Sequence, residues 1–126
     1  MKARHFLLML AAAAASAPAL AQTIQLTCAN ASGSGAGLVT VDYDARTLTH
    51  DSIDHAGNIT VMAYQKLPAQ VSDGSIVATW RNGRDWVRFT LNRYTGVLMT
   101  ESDFGAGIGR GYTKPCEPYQ KPQRRF

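Results

Sequence analysis

Four residues in one short stretch, His50, Asp51, Asp54 and His55, combine the imidazole and carboxylate groups that ligate zinc or copper. Two histidines five apart point to opposite faces of an extended chain, so these groups can converge only in a loop. Their other reading is a solvated turn in which the same side chains satisfy backbone groups. Asp42, Asp44, Asp73, Asp85, Glu101 and Asp103 supply carboxylates, which glycosidase chemistry needs in pairs flanking a cleft. Most of them sit where strand ends are expected, as ordinary turn formers, and so short a chain leaves little room for a cleft. Ser32 and Ser34 lie in Gly-Ser sequence and not in a Gly-x-Ser-x-Gly elbow after a strand. The run Gly105-Ala106-Gly107-Ile108-Gly109 has the glycines of a phosphate loop but neither the lysine nor the following helix. It is expected to be a flexible loop or a closely packed glycine strand. No catalytic residue and no cofactor follow from these groups.

A second constellation favours binding. Ile76–Trp80 and Trp86–Leu91 flank Arg81-Asn82-Gly83-Arg84, and Asn-Gly suits both central positions of a type I′ hairpin turn. Alternation puts Ile76, Ala78 and Trp80 on one face. On the return strand it puts Val87, Phe89 and Leu91 on the apolar face and Trp86, Arg88 and Thr90 opposite. Trp86 beside Arg81, Arg84 and Arg88 then forms an aromatic and basic patch, suited to an anionic partner or to sugar rings. The alternative is Trp86 packed beneath the arginine stems. These four residues are the candidate partner-binding site.

The elements that must position these groups begin after residue 21. Lys2 and Arg4, an apolar run from Phe6 to Ala15 and the small-residue site Ala19-Leu20-Ala21 are the three regions of a secretory signal peptide, with cleavage expected after Ala21. The expected location is periplasmic or secreted, where a disulfide persists. The remaining 105 residues suit one domain, assigned to 22–117, followed by a Pro- and Arg-rich flexible tail at 118–126. The full chain carries +4, but without Lys2 and Arg4 eleven basic residues face nine acidic ones. That near-neutral balance, with no clustered basic stripe, argues against nucleic acid. No second apolar run approaches the roughly 20 residues of a transmembrane helix. Two cysteines, Cys28 and Cys116, allow one pairing, and a bond between them would close most of the mature chain into one loop.

Short alternating runs separated by turn residues dominate, and no stretch holds a helical period over three turns. Strands are expected over Thr23–Ala29, with Ile24, Leu26 and Cys28 on one face, and over Leu38–Tyr43, with Val39, Val41 and Tyr43 together. Asp44-Ala45-Arg46 connects to a strand over Thr47–His50, Asp51–Asn58 contains a turn, and Ile59–Tyr64 alternates again until Pro68 breaks the pattern. After the hairpin, Arg93–Gly96 is a turn, Val97–Thr100 a strand and Tyr112–Cys116 the last strand. The expected fold is all-β: a small antiparallel barrel or sandwich of seven or eight strands, tied from first strand to last by the disulfide.

Leu26-Thr27-Cys28, Val41-Asp42-Tyr43-Asp44, Ser72-Asp73-Gly74 with Trp80 after it, and Cys116 together give a chain that resembles the membrane-bound and periplasmic inhibitors of c-type lysozyme. The resemblance covers most of the mature chain. It implies an eight-stranded antiparallel barrel whose first-strand cysteine bonds to one near the end. The chain departs from the family where a Ser-Gly-x-x-Tyr segment supplies the inhibitory loop: Lys66–Val71 stands there instead, and Ser32-Gly33-Ser34-Gly35 comes too early. Leu91–Leu98 is also similar to a pattern in small exported bacterial proteins of unknown function. The function expected is a non-enzymatic binding module with a protein partner in the cell envelope, in the form the resemblance implies an inhibitor of a cell-wall-degrading enzyme. The alternatives are a metal- or small-ligand-binding envelope protein, or a structural one.

Overall fold

The computed structural model describes residues 22–121. The expected signal peptide and the last residues of the expected tail lie outside them. Nine strands form one antiparallel sheet: β1 (Thr23–Ala29), β2 (Ala36–Asp42), β3 (Thr47–Ile53), β4 (Ile59–Val71), β5 (Ser75–Asn82), β6 (Asp85–Asn92), β7 (Leu98–Asp103), β8 (Gly109–Tyr112) and β9 (Glu117–Pro118). Each strand from β1 to β8 pairs with its neighbour in sequence, and β9 returns to the free side of β1. The sheet curls into a half-barrel.

Short connections explain the meander. Asp42 Oδ1 accepts from the Asp44 and Ala45 amides, each at 3.0 Å, and Arg46 takes a positive φ of 53° to re-enter β3. The β5–β6 turn differs from expectation by one residue. Asn82 and Asp85 are the closing pair, and only Gly83 of the two turn residues has positive φ. That pattern is type II′, in which glycine takes the first central position.

Alternation fills the concave side as expected. Ile24, Leu26 and Cys28 from β1, Val39 and Val41 from β2, Ile76, Ala78 and Trp80 from β5, and Val87, Phe89 and Leu91 from β6 all join the core cluster. The disulfide between Cys28 and Cys116 is formed. Its partner segment stitches the two sides of the sheet together. The Lys114 amide donates to Ala29 O at 2.8 Å, Thr113 N donates to Leu98 O at 3.0 Å, and Cys116 N donates to Gly96 O at 2.8 Å. The hydroxyl of Thr113, buried here, accepts from the Leu98 amide at 3.0 Å.

Several boundaries are corrected. β3 runs on through Asp51 to Ile53, so the turn there is shorter than expected. The glycine run takes both of its expected forms: 105–108 is loop, and Gly109–Tyr112 is a strand whose backbone completes the β7 ladder without needing side chains. Conversely, Thr113–Cys116 is a connector. The tail begins later than residue 118, since Pro118 belongs to β9 and Tyr119 N donates to Gln25 O at 2.9 Å.

The most consequential correction is Pro68, expected to break the chain but lying inside β4. Ala69 N donates to Arg46 O on the β3 side, so the nitrogen of Pro68 faces β5, where it has no proton to give. The β4–β5 ladder accordingly consists of Ala69–Val71 against Ile76–Ala78 and stops there. Lys66, at φ 48°, then bulges β4 against β3, where a step of two residues on β3 matches three on β4. Past the end of their ladder β4 and β5 part, and the half-barrel is open.

Candidate functional site

The four metal candidates go to four different places. His50 lies inside the half-barrel, its ring stacked on Phe89 at 4.6 Å and 16° and edge-on to Tyr64 at 6.2 Å. It sits over Gly37, where a Cβ would stand 2.4 Å from Nε2, so only glycine leaves room for the ring. Asp51, buried on the other face of β3, accepts from Met62 N at 3.1 Å and Gln65 Nε2 at 2.6 Å. Asp51 therefore satisfies groups freed where β4 slips register against β3. Asp54 organises the next turn, accepting from the amides of Ala56 at 2.9 Å and Asn58 at 2.8 Å. The bonds from Asn58 hold its carboxyl below the usual range. His55 is exposed at that turn. Among the described residues no three histidine, cysteine or acidic groups gather as a metal site.

Other carboxylates also have structural partners. Asp42 caps the β2–β3 turn, and Asp103 accepts from Gly105 N at 2.8 Å. Ser32 and Ser34 bond to each other at 2.8 Å.

The hairpin patch divides in two. On the convex face the register places Arg81, Trp86 and Asp103 in one row and Thr79, Arg88, Glu101 and Arg110 in the next. Glu101, with a side chain only 7% exposed, accepts from Arg110 Nε at 2.9 Å and Arg88 Nε at 3.2 Å. These hydrogen bonds, that from Arg110 foremost, keep its carboxyl ionised below the usual glutamate range. Arg88 also lies over the Trp86 ring at 5.2 Å, so Trp86 is half-buried beneath an arginine already occupied. Arg81 and Arg84 stand exposed at the tip and make no ion pair among the described residues. The structure thus brings Arg81, Trp86 and Arg88 to one face, with Arg84 in the turn beside them, and leaves two of the three arginines without an ion pair among the described residues.

Comparison with protein-family models, curated proteins and solved structures returned no match to this chain. No helix among the described residues is long and apolar enough to cross a membrane.

A second feature escaped the sequence reading. Aromatic rings run in contact from the core to the open end: Phe89 to Tyr64 at 5.2 Å, Tyr64 to Trp80 at 5.4 Å, and Trp80 to Phe104 at 6.5 Å. The Tyr64–Trp80 contact spans the place where β4 and β5 have lost their ladder. Alternation placed Trp80 on one face with Ile76 and Ala78, but its neighbour on β4 depends on the bulge at Lys66, whose only local signal is the nearby proline.

Burial of His50 lowers its pKa from the ordinary 6.5, outweighing the opposite pull of Asp51. A group with a depressed folded-state pKa binds fewer protons folded than unfolded once pH falls below the unfolded value. Its contribution is therefore complete above pH 6.5 and is lost progressively as pH falls toward the folded value. The carboxylates of Asp54 and Glu101 act in the same direction, but below their ordinary values of 3.8 and 4.5. Urea midpoints are expected to fall between neutral pH and the pH just above those carboxylate values. His50→Leu should flatten that fall, and an unchanged slope in the variant would assign the loss elsewhere.

Proposed function

We propose that this protein is a non-enzymatic binding module of the cell envelope that inhibits a secreted cell-wall-degrading enzyme. In this reading the tip of the β5–β6 hairpin enters the enzyme's substrate cleft. The observation that carries it is the pair of exposed, unpaired guanidinium groups of Arg81 and Arg84 on a tight turn. Glycosidase clefts hold two carboxylates around the scissile bond, and an arginine fork matches a carboxylate bidentately. A two-residue turn with glycine fixes the tip in advance, which limits the ordering cost of binding. Trp86 and Arg88 support the tip from the convex face, with Glu101 holding Arg88 in place. The resemblance to lysozyme inhibitors points to the same class of partner, reached by a different segment from the family's loop.

The test is the clearing of a bacterial cell-wall suspension by c-type lysozyme in the presence of excess protein. Inhibition is expected. Arg81→Glu with Arg84→Glu should weaken it by at least about tenfold, equivalent to ~1.4 kcal/mol. Lysozyme activity unaffected by the wild-type protein in large excess would end the inhibitor reading.

A further inference from the structure

The concave face changes character along the half-barrel. At the closed end its cross-strand rows are aliphatic, with Ile24, Val41 and Leu48 on one side and Ile76, Leu91 and Leu98 on the other. The middle row holds His50, Tyr64 and Phe89. The last row, at the end where β4 and β5 separate, holds Ser52 paired with Thr60 on one side and Trp80, Val87, Ser102 and Gly109 on the other.

Three features of this last row bear on a ligand. Trp80 and Tyr64 are only half-buried, and Phe104 beside Trp80 is 56% exposed, so ring surface remains open to solvent. Ser52, Thr60 and Ser102 make no side-chain hydrogen bond within the described residues, and neither do Tyr64 and Trp80, which leaves hydroxyl and indole groups available. Glycine occupies the β8 positions facing this space. A Cβ at Gly111 would meet nothing within 4 Å, and at Gly109 only Ser102 Oγ at 4.0 Å. Among the described residues the rows named above carry no acidic or basic side chain apart from His50, whose Nδ1 is buried without a partner, and the next row, Asn82 with Asp85, sets one carboxylate at the rim. Barrel mouths with a few polar groups around apolar rings are a common setting for small ligands.

We propose that the open end of the half-barrel binds an uncharged carbohydrate. A pyranose presents an apolar C–H face and a rim of hydroxyls. Trp80 and Phe104, 6.5 Å apart, offer platforms for the first. Ser52, Thr60, Ser102 and the Tyr64 hydroxyl offer donors and acceptors for the second. Asp85 at the rim favours a neutral sugar over an acidic one, whose carboxylate would be desolvated beside a like charge. This site faces the interior, opposite the convex face of Trp86 and Arg88, and does not depend on the hairpin tip.

The experiment titrates the purified protein with chitotetraose and with cellotetraose, both uncharged. Binding is followed by calorimetry and by the fluorescence of the Trp86→Phe variant, in which Trp80 is the sole tryptophan. A saturable change in Trp80 emission with at least one sugar is expected, independent of salt because no ion pair forms. Phe104→Ala, at an exposed position that spares the core, should weaken binding about tenfold, the upper end of an aromatic stacking contact. The absence of both heat and an emission change at millimolar sugar overturns the proposal. So does binding that salt weakens or that Phe104→Ala leaves intact.

Discussion

Replacing Cys28 and Cys116 together by serine is expected to lower the unfolding free energy by about 4–5 kcal/mol. The bond spans 88 positions of sequence and joins β1 to the segment that stitches the sheet edges. In the chain-entropy account a loop of this length gives close to the upper range of disulfide stabilisation, because the unlinked unfolded chain gains most freedom. The structural context adds to this. Cys28 is 1% exposed inside the core cluster, so serine also places a hydroxyl in an apolar site. For a domain of this size, whose whole stability is about 5–15 kcal/mol, the loss is a large share. Urea denaturation followed by tryptophan fluorescence measures it, with circular dichroism expected to keep its β signature. Equal midpoints for the oxidised protein and the variant would show that the link contributes nothing.

Phe89→Ala is expected to cost about 3–5 kcal/mol, the usual range for removing a buried aromatic ring. Phe89 is 1% exposed at the centre of the concave face and is the ring against which both His50 and Tyr64 pack. Its removal leaves a cavity that β6 cannot collapse into, since hydrogen bonds to β5 and β7 fix the strand on both sides. Two readouts are expected to move together. The denaturation midpoint falls, and the proton titration of His50, followed by NMR, moves back toward 6.5 as water reaches the ring. A fall in stability with an unchanged His50 titration would show that Phe89 does not shield the imidazole.

Much of this protein is written in local pattern. Period-two alternation placed Ile24, Leu26 and Cys28, Val39 and Val41, and Val87, Phe89 and Leu91 on the core face, because a strand with one buried side permits only one register. Turn chemistry located the β5–β6 hairpin, although Gly83 alone, and not Asn82 with it, takes the left-handed conformation. Strand number came out slightly low. β8 is glycine-rich and β9 is two residues long, and both exist through ladders to β7 and β1 that no local propensity encodes.

The candidate sites were legible in the same uneven way. The sequence named Arg81, Arg84, Trp86 and Arg88 as neighbours, since a tight hairpin fixes which residues stand opposite. It did not show that Glu101, thirteen residues beyond Arg88, engages one of those arginines. Nor did it show that His50, Asp51, Asp54 and His55 separate, which follows from β3 continuing as a strand through Asp51.

By itself, then, the amino-acid order determined an all-β antiparallel fold, the two cysteines available to staple it and the residues on each face of the central hairpin. These depend on side-chain period and turn geometry within a few residues. Only the tertiary structure decided where the half-barrel opens. Pro68 removes one ladder donor and Lys66 bulges β4 against β3, but the gap follows from where the β4–β5 ladder stops. Tyr64 meets Trp80 across that gap, because ring contacts between unpaired strands depend on the curvature of the whole sheet.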